Sequence, residues 1–427
     1  MIEQFKSLLN HGSIIAGLFV VLFFQFSLPS LFARDYAVND AVADVESFNA
    51  DLKKTSHGLY KEKMELMTND PFSFFRGTPH LMYGDLRSSP SLEFMKKSPT
   101  GLIHGDLHAH NFAILFFQNR PGTYGTEDFD EVHTSYLAYD LFRLGVSINI
   151  GFRHNSKGKE IDDAIESMVQ GYLNCANNYL HADWPSCPVP NFIEKFIKET
   201  VDINQKDFLD VGTKCEKGNS FKESKELQHL PKNIETGLRN ALNSHFKKLA
   251  TSNKFPPSMA TILDVVRRLG KGLSSTGLDR YYVLLEGETE SWKDDRVVEV
   301  KQMRVSSDVG GSLETQAKNT LLGFERAHRG HDIFLGVMPL DGKLFQTREI
   351  FPWAKRLEVT KVDKDDISKF AGFLGNMLGD FHSENKQSKE MKSWFDSYKK
   401  QFIKAVDDYS DQVIKDWKHL KDFWKEQ

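Results

Sequence analysis

Cysteine is scarce: Cys175, Cys187 and Cys215 are the only ones in 427 residues. None sits in a C-x-x-C pair, which argues against a structural zinc site, and an odd count makes a poor disulfide framework. One bridge, Cys187–Cys215, is compatible with an exported chain. A dominant charge is missing too. Lys and Arg number 55 against 59 Asp and Glu, a formal net charge of -4, so nothing argues for a nucleic-acid partner. Internal repeats and low-complexity tracts are absent.

One apolar run does stand out. Residues 13–33 read SIIAGLFVVLFFQFSLPSLFA, preceded by Lys6 and ending in Pro29, Ser30 and Ala33. Its apolar centre, Ile14 to Phe26, is shorter than the ~20 residues that span a bilayer comfortably. The pattern predicts that 1–33 is a signal peptide or an N-terminal membrane anchor. Asp35, Asp40, Asp44 and Glu46 on the far flank agree with the positive-inside rule. The expected body is exported, periplasmic or anchored to the cytoplasmic membrane by residues 13–33, with no other membrane contact.

What is present is ordinary for a globular protein: 40% apolar and 27% charged residues, with 33 Phe for an aromatic-rich core. The length argues for more than one core. Residues 34–258 are expected to form a mainly helical lobe that contains a loop and hairpin near 101–131, with TEDFDE (126–131) ending the hairpin. Residues 259–360 alternate and are rich in Val, Tyr and Leu, which predicts three strands, a helix near 312–329 and further strands. Residues 361–427 are expected to be helices that pack on the helical lobe, the last carrying Phe395, Phe402, Val406, Tyr409 and Val413 on one stripe.

IHGDLHAHNF (103–112) carries the chemistry and admits two readings. As a strand, D-L-H-A-H would put His108 and His110 on one face, where both could ligate zinc for hydrolysis. That site needs ligands from later strands, and the chain lacks the repeating βα pattern of a barrel. As a loop, H-G-D-x-x-x-x-N offers Asp106 as catalytic base and Asn111 as a magnesium ligand. Asp128 and Asp130 in DFD would add the oxygen ligands that magnesium prefers. Phosphoryl transfer further requires a glycine loop and a lysine. Gly272-Leu-Ser274-Ser-Thr-Gly277 and Lys301, at the end of VVEVK (297–301), supply them for ATP or another nucleotide. The carboxylate partner of Lys301 is expected on the following helix, at Glu314 or Glu325. Arg76 in FFRG would face substrate or phosphate, His104 would support the loop, and His108 and His110 would face substrate.

HGDLHAHNF, the DFDE segment and Tyr139-Asp140-Leu141 resemble aminoglycoside phosphotransferases and choline kinases, of the protein-kinase-like superfamily. The resemblance implies that Asp140 anchors a helix. DPFSFFRG (70–77), EDFDE (127–131), GLSSTGLDRYYVLLEG (272–287), VEVKQ (298–302), TREIFPW (347–353) and LGNMLGDFH (374–382) are similar to motifs of the bacterial family called domain of unknown function 2252. That resemblance spans roughly residues 60–385 and implies an α+β, protein-kinase-like bilobal fold. The motif order is permuted, since the catalytic loop precedes the glycine loop and the lysine. Ser274 departs from G-x-G-x-x-G at its middle glycine, where a Cβ limits backbone approach.

Three functions are therefore expected, in this order. The first is a magnesium- and ATP-dependent phosphotransferase acting on a small-molecule or protein hydroxyl. The second is a non-catalytic relative that binds nucleotide or a partner as a scaffold. The third is a zinc hydrolase that uses the DLHAH segment.

Overall fold

A computed structural model describes residues 40–427, apart from 118–119, 154–155, 157, 177–188, 202–204, 213–219, 271, 274–275, 329–331, 353–354 and 384–386. The expected signal or anchor, Ser274, Cys187 and Cys215 lie outside the described residues. No helix among the described residues is long and apolar enough to cross a membrane.

The fold is α+β. The amino-terminal side is helical, as its amphipathic pattern predicts, and two of its helices, Pro71–Gly77 and Pro79–Ser88, begin at prolines. Proline suits a first helical position because its missing N–H would have no partner there. Asp70 caps the first of them through Ser73 N (2.8 Å).

Four short strands then frame two loops. β1 (Thr100–Ile103) pairs antiparallel with β4 (His133–Tyr136), and β2 (Phe112–Phe117) pairs with β3 (Arg120–Thr126). Ile103 lies opposite His133, and Phe112 opposite Thr126. The segments 104–111 and 127–132 are thus held side by side, tied at both ends by strand ladders. TEDFDE (126–131) was expected to end the hairpin, but β3 already runs over Arg120–Thr126, and 127–131 follow it as loop.

The second half forms a six-stranded sheet in the order β5-β6-β7-β8-β10-β9. Its strands are β5 (Leu227–His229), β6 (Ile262–Arg268), β7 (Arg280–Leu285), β8 (Arg296–Gln302), β9 (Gly336–Leu340) and β10 (Lys343–Glu349). β5 lies in a stretch expected to be helical. The helix Lys232–Asn253 covers one face of the sheet and packs Leu238, Leu242 and Phe246 against Val283, Val298 and Val300. Side chains alternate along a strand, so Val297, Glu299 and Lys301 point to the opposite face.

A separate apolar core joins the helices to the two framed loops. The helix Leu137–Phe152 runs through it and is buried along its whole length. The helix Ser388–Lys425 lies against it, with the Tyr409 ring tilted against Phe142 (5.3 Å between centroids). Its predicted stripe is core: Phe402, Val406, Tyr409 and Val413 are all buried.

Candidate functional site

Three polar side chains on the buried helix hold the first loop. Asp140, Arg143 and Ser147 recur at i, i+3 and i+7, which places them on one face. Asp140 accepts hydrogen bonds from His104 N (2.6 Å) and Gly105 N (3.0 Å). Arg143 donates its Nε to Asp106 Oδ1 (2.8 Å) and adds a second bond through Nη2. Ser147 Oγ accepts from Ala109 N (3.0 Å). His382 closes the clamp through Nε2 on Asp140 (3.0 Å). Burial pushes the Asp140 carboxyl up, but the His382 bond, with the other donors, outweighs it and holds the group below the carboxylate range. Asp140 therefore anchors the loop, and Arg143 and Ser147 share the work.

Gly105 turns the loop at φ +85, and a Cβ there would meet the Glu131 carbonyl at 2.1 Å. Only glycine allows that backbone angle and that approach. His104 is structural. Its Nδ1 accepts from Asp106 N (3.4 Å), so Nε2 carries the hydrogen donated to Glu127 O (2.9 Å). Asn111 donates Nδ2 to Asp106 O (2.8 Å), which turns its oxygen to the other side.

The second loop is pinned by Phe129, which is buried against Phe324 (4.7 Å) and Phe381 (5.6 Å). That leaves Asp128 at the cavity, with Asp130 on the other side of Phe129 turned to Lys301. The helix Leu313–His328 supports this loop through Gln316, on Asp130 O and Val132 O, and through Thr320, on Phe129 O. Gln316, Thr320 and Phe324 share its inner face, and Glu314 and Glu325 fall on the exposed one. The expectation that Glu314 or Glu325 pairs with Lys301 is thus corrected.

Lys301 pairs with the DFD carboxylates instead. Its Nζ lies 3.1 Å from Asp128 Oδ1 and also bonds Asp130. Burial drives Asp128 up, but the Lys301 ammonium, with Arg356 and Arg348, outweighs it and holds Asp128 well below the usual range. Asp130 goes the other way, because burial and the neighbouring Asp128 charge outweigh Lys301. Like charges at short range cannot both stay fully ionised cheaply. Asp128 also adopts φ 68, a left-handed backbone that costs a non-glycine residue energy. Such strain tends to collect at functional sites.

Strand register sets the rest of the sheet wall. Glu299 lies opposite Arg348 on β10, and Arg280 on β7 lies opposite Lys301. Glu299 bonds both arginines, at 2.9 Å to Arg280 and 3.0 Å to Arg348.

These side chains line one cavity of about 760 Å³, bounded by Arg76, Asp106, His108, Asp128, Lys301 and Arg356 among others. The volume falls within the ~300–1,000 Å³ typical of ligand sites. Asp106 is 5% exposed, and burial raises it to about 6 against the opposing pull of Arg143. Gly272 (φ 82) lines the cavity, whereas Gly277 (φ 92) borders a smaller recess with Ser56 and Arg268, so the glycine loop is divided between the two.

His108 lines the cavity, and His110 lies beside Arg76, with Nδ1 at 3.5 Å from the guanidinium. Among the described residues, no three or more His, Cys, Asp or Glu side chains are placed to hold a metal ion together, so the zinc reading lacks the further ligands it requires. Sequence reasoning missed Arg143, Ser147, Arg348 and Arg356. For the first two a signal was present: polar residues at helical spacing within YDLFRLGVSINI.

A family model described as "Uncharacterized protein conserved in bacteria (DUF2252)" matches residues 57–423. No curated protein and no solved structure matches the chain.

Proposed function

The chain belongs to the bacterial family DUF2252, and we propose that it is a magnesium- and ATP-dependent phosphotransferase with a permuted, protein-kinase-like bilobal architecture. The observation that carries this reading is the meeting of Lys301 with Asp128 and Asp130 at the edge of a cavity that Lys301, Asp128 and Asp106 line. Nucleotide phosphate sites combine such a lysine with carboxylates that hold metal.

The donor set suits magnesium. Asp128, Asp130 and the Asn111 oxygen are hard ligands, and the two carboxylates already gather one cation. Bound ATP would supply the phosphoryl group, with magnesium offsetting its charge. Lys301, Arg280 and Arg348 would face the phosphates from the sheet. Asp106 would orient the acceptor hydroxyl and take up its proton, with Arg143 fixing the carboxylate. At about 6, Asp106 would be mostly ionised at neutral pH. The small-molecule or protein acceptor would enter from the helical side.

A second reading, nucleotide binding without transfer, is favoured by the Arg143–Asp106 ion pair, which partly neutralises the proposed base. The run at residues 13–33 supports export or anchoring, and proteolysis of intact cells against lysed cells would test that.

The test is thermal melting of the full chain with ATP or GTP, with and without magnesium, beside Lys301→Met and Asp128→Ala. A magnesium-dependent rise lost in both variants is expected, since a ligand that binds only the folded state raises its melting point. No rise with any nucleotide would sink the reading. A rise without ATP consumption over a panel of hydroxyl acceptors would leave the second one.

A further inference from the structure

Two sets of cations face the cavity, and they differ in how they are paired. On the sheet wall, Lys301 is matched by Asp128 and Asp130, and Arg280 and Arg348 by Glu299. On the helical wall stands Arg76, in the last turn of Pro71–Gly77. Its Nη1 lies 3.5 Å from the Nδ1 of His110, and burial together with the Arg76 charge lowers that ring to about 4, so it is neutral. The Nε of Arg76 is buried with no hydrogen-bond partner. Among the described residues, no carboxylate lies within ion-pair distance of it. Arg356, itself bonded to Glu127, adds a like charge nearby.

His108 borders the same cavity. It is 3% exposed, and its Nδ1 is buried without a partner. Asp106, Asp128 and Asp70 attract the Arg76 charge from a distance, but burial and Arg356 outweigh them, and an unmet buried N–H is costly, as is a second unmet polar atom. An anion would satisfy both, most strongly through charge-assisted bonds to Arg76.

We propose that Arg76 and His108 form a subsite for an anionic group, a phosphate or carboxylate, carried by the acceptor molecule whose hydroxyl lies at Asp106. This rests on the phosphotransfer reading and narrows its substrate to small hydroxylated anions. Neutral polyols would leave Arg76 unpaired, and cationic amines would be repelled by it.

The experiment uses the full chain with glycerol 3-phosphate, glycerate and glycerol as probes, in wild type, Arg76→Gln and Lys301→Met. Melting temperature is followed over a titration of each, and separately with ATP and magnesium. Both anions are expected to raise the melting point of wild type and Lys301→Met, and glycerol is not. In Arg76→Gln the anion affinity should fall about tenfold or more, the loss expected for a charge-assisted bond. That variant should keep its rise with ATP and magnesium, which also shows that it is folded. It should melt no lower than wild type without ligand, because it sheds an unpaired charge.

An equal anion response in wild type and Arg76→Gln would overturn the inference, and so would no response in wild type. An anion response lost in Lys301→Met but kept in Arg76→Gln would also overturn it, because the anion would then lie at the nucleotide phosphates. If ATP has no effect on any of the three proteins while the Arg76-dependent response persists, the nucleotide reading fails and the anion subsite stands.

Discussion

Lys301 Nζ stands 3.1 Å from Asp128 Oδ1 although 173 positions separate them in the chain. The contact joins the sheet to the loop between β3 and β4, and Asp130 shares it. One ammonium thus holds two carboxylates that would otherwise repel each other.

Replacing Lys301 with Met should cost about 2 kcal/mol at pH 7, less than the ~3–5 of a fully buried broken pair, because Asp128 is 36% exposed. The folded-state pKa of Asp128 is lowered, so its share of the stability is present above about pH 4 and fades as pH falls toward the lowered value. That of Lys301 is raised, so its share is present below about pH 10.5 and fades as pH rises through the folded value. In the variant, acid protonates one carboxylate and relieves the repulsion, so the gap to wild type should narrow by pH 5. Urea denaturation at pH 7 and pH 5 checks this, and an equal gap at both would contradict it.

Asp140→Asn should loosen the candidate catalytic loop. Asp140 is fully buried and binds His104 N, Gly105 N and His382, so losing its charge should cost about 3 kcal/mol. Its folded-state pKa is lowered, so the contribution is present above about pH 4 and is lost as pH drops. Hydrogen exchange should quicken first at the amides of His104 and Gly105. Uniform quickening across the chain would argue against a local clamp.

Strain and function should separate at Asp128. Glycine tolerates φ 68 without penalty, so Asp128→Gly should be more stable than Asp128→Ala by about 1 kcal/mol. Both should lose the melting rise with nucleotide and magnesium. Comparing the two melting curves measures the strain directly.

Asp106 should titrate near pH 6 in the folded protein, and carbon-13 NMR of its carboxyl would observe the midpoint. A raised carboxyl destabilises the folded state as pH climbs from about 4 through 6, because the unfolded chain ionises first. Arg143→Met should move the midpoint up by about 1 or more, since it removes the cation that opposes burial. A wild-type midpoint near 4 would show that Asp106 is an ordinary ion-pair partner.

Much of the site was legible in local spacing. H-G-D-x-x-x-x-N and DFD mark loops because glycine turns and polar clusters interrupt apolar strands, and VVEVK alternates as a sheet strand does. The partner of Lys301 was not legible. Helix Leu313–His328 follows β8 in the chain, but its inward face carries Gln316, Thr320 and Phe324, which leaves Glu314 and Glu325 in solvent. Proximity along the chain pointed to the wrong carboxylates.

By itself the sequence determined the α+β class, the main helices and strands and the two acidic loops, because periodicity and turn chemistry are local. Tertiary structure alone decided which charges meet. Two strand ladders bring 104–111 beside 127–132, and the register across β7, β8 and β10 stacks Arg280, Glu299, Lys301 and Arg348 on one face. It also left the Arg76 Nε without a hydrogen-bond partner among the described residues, because that depends on what lies across the cavity rather than along the chain.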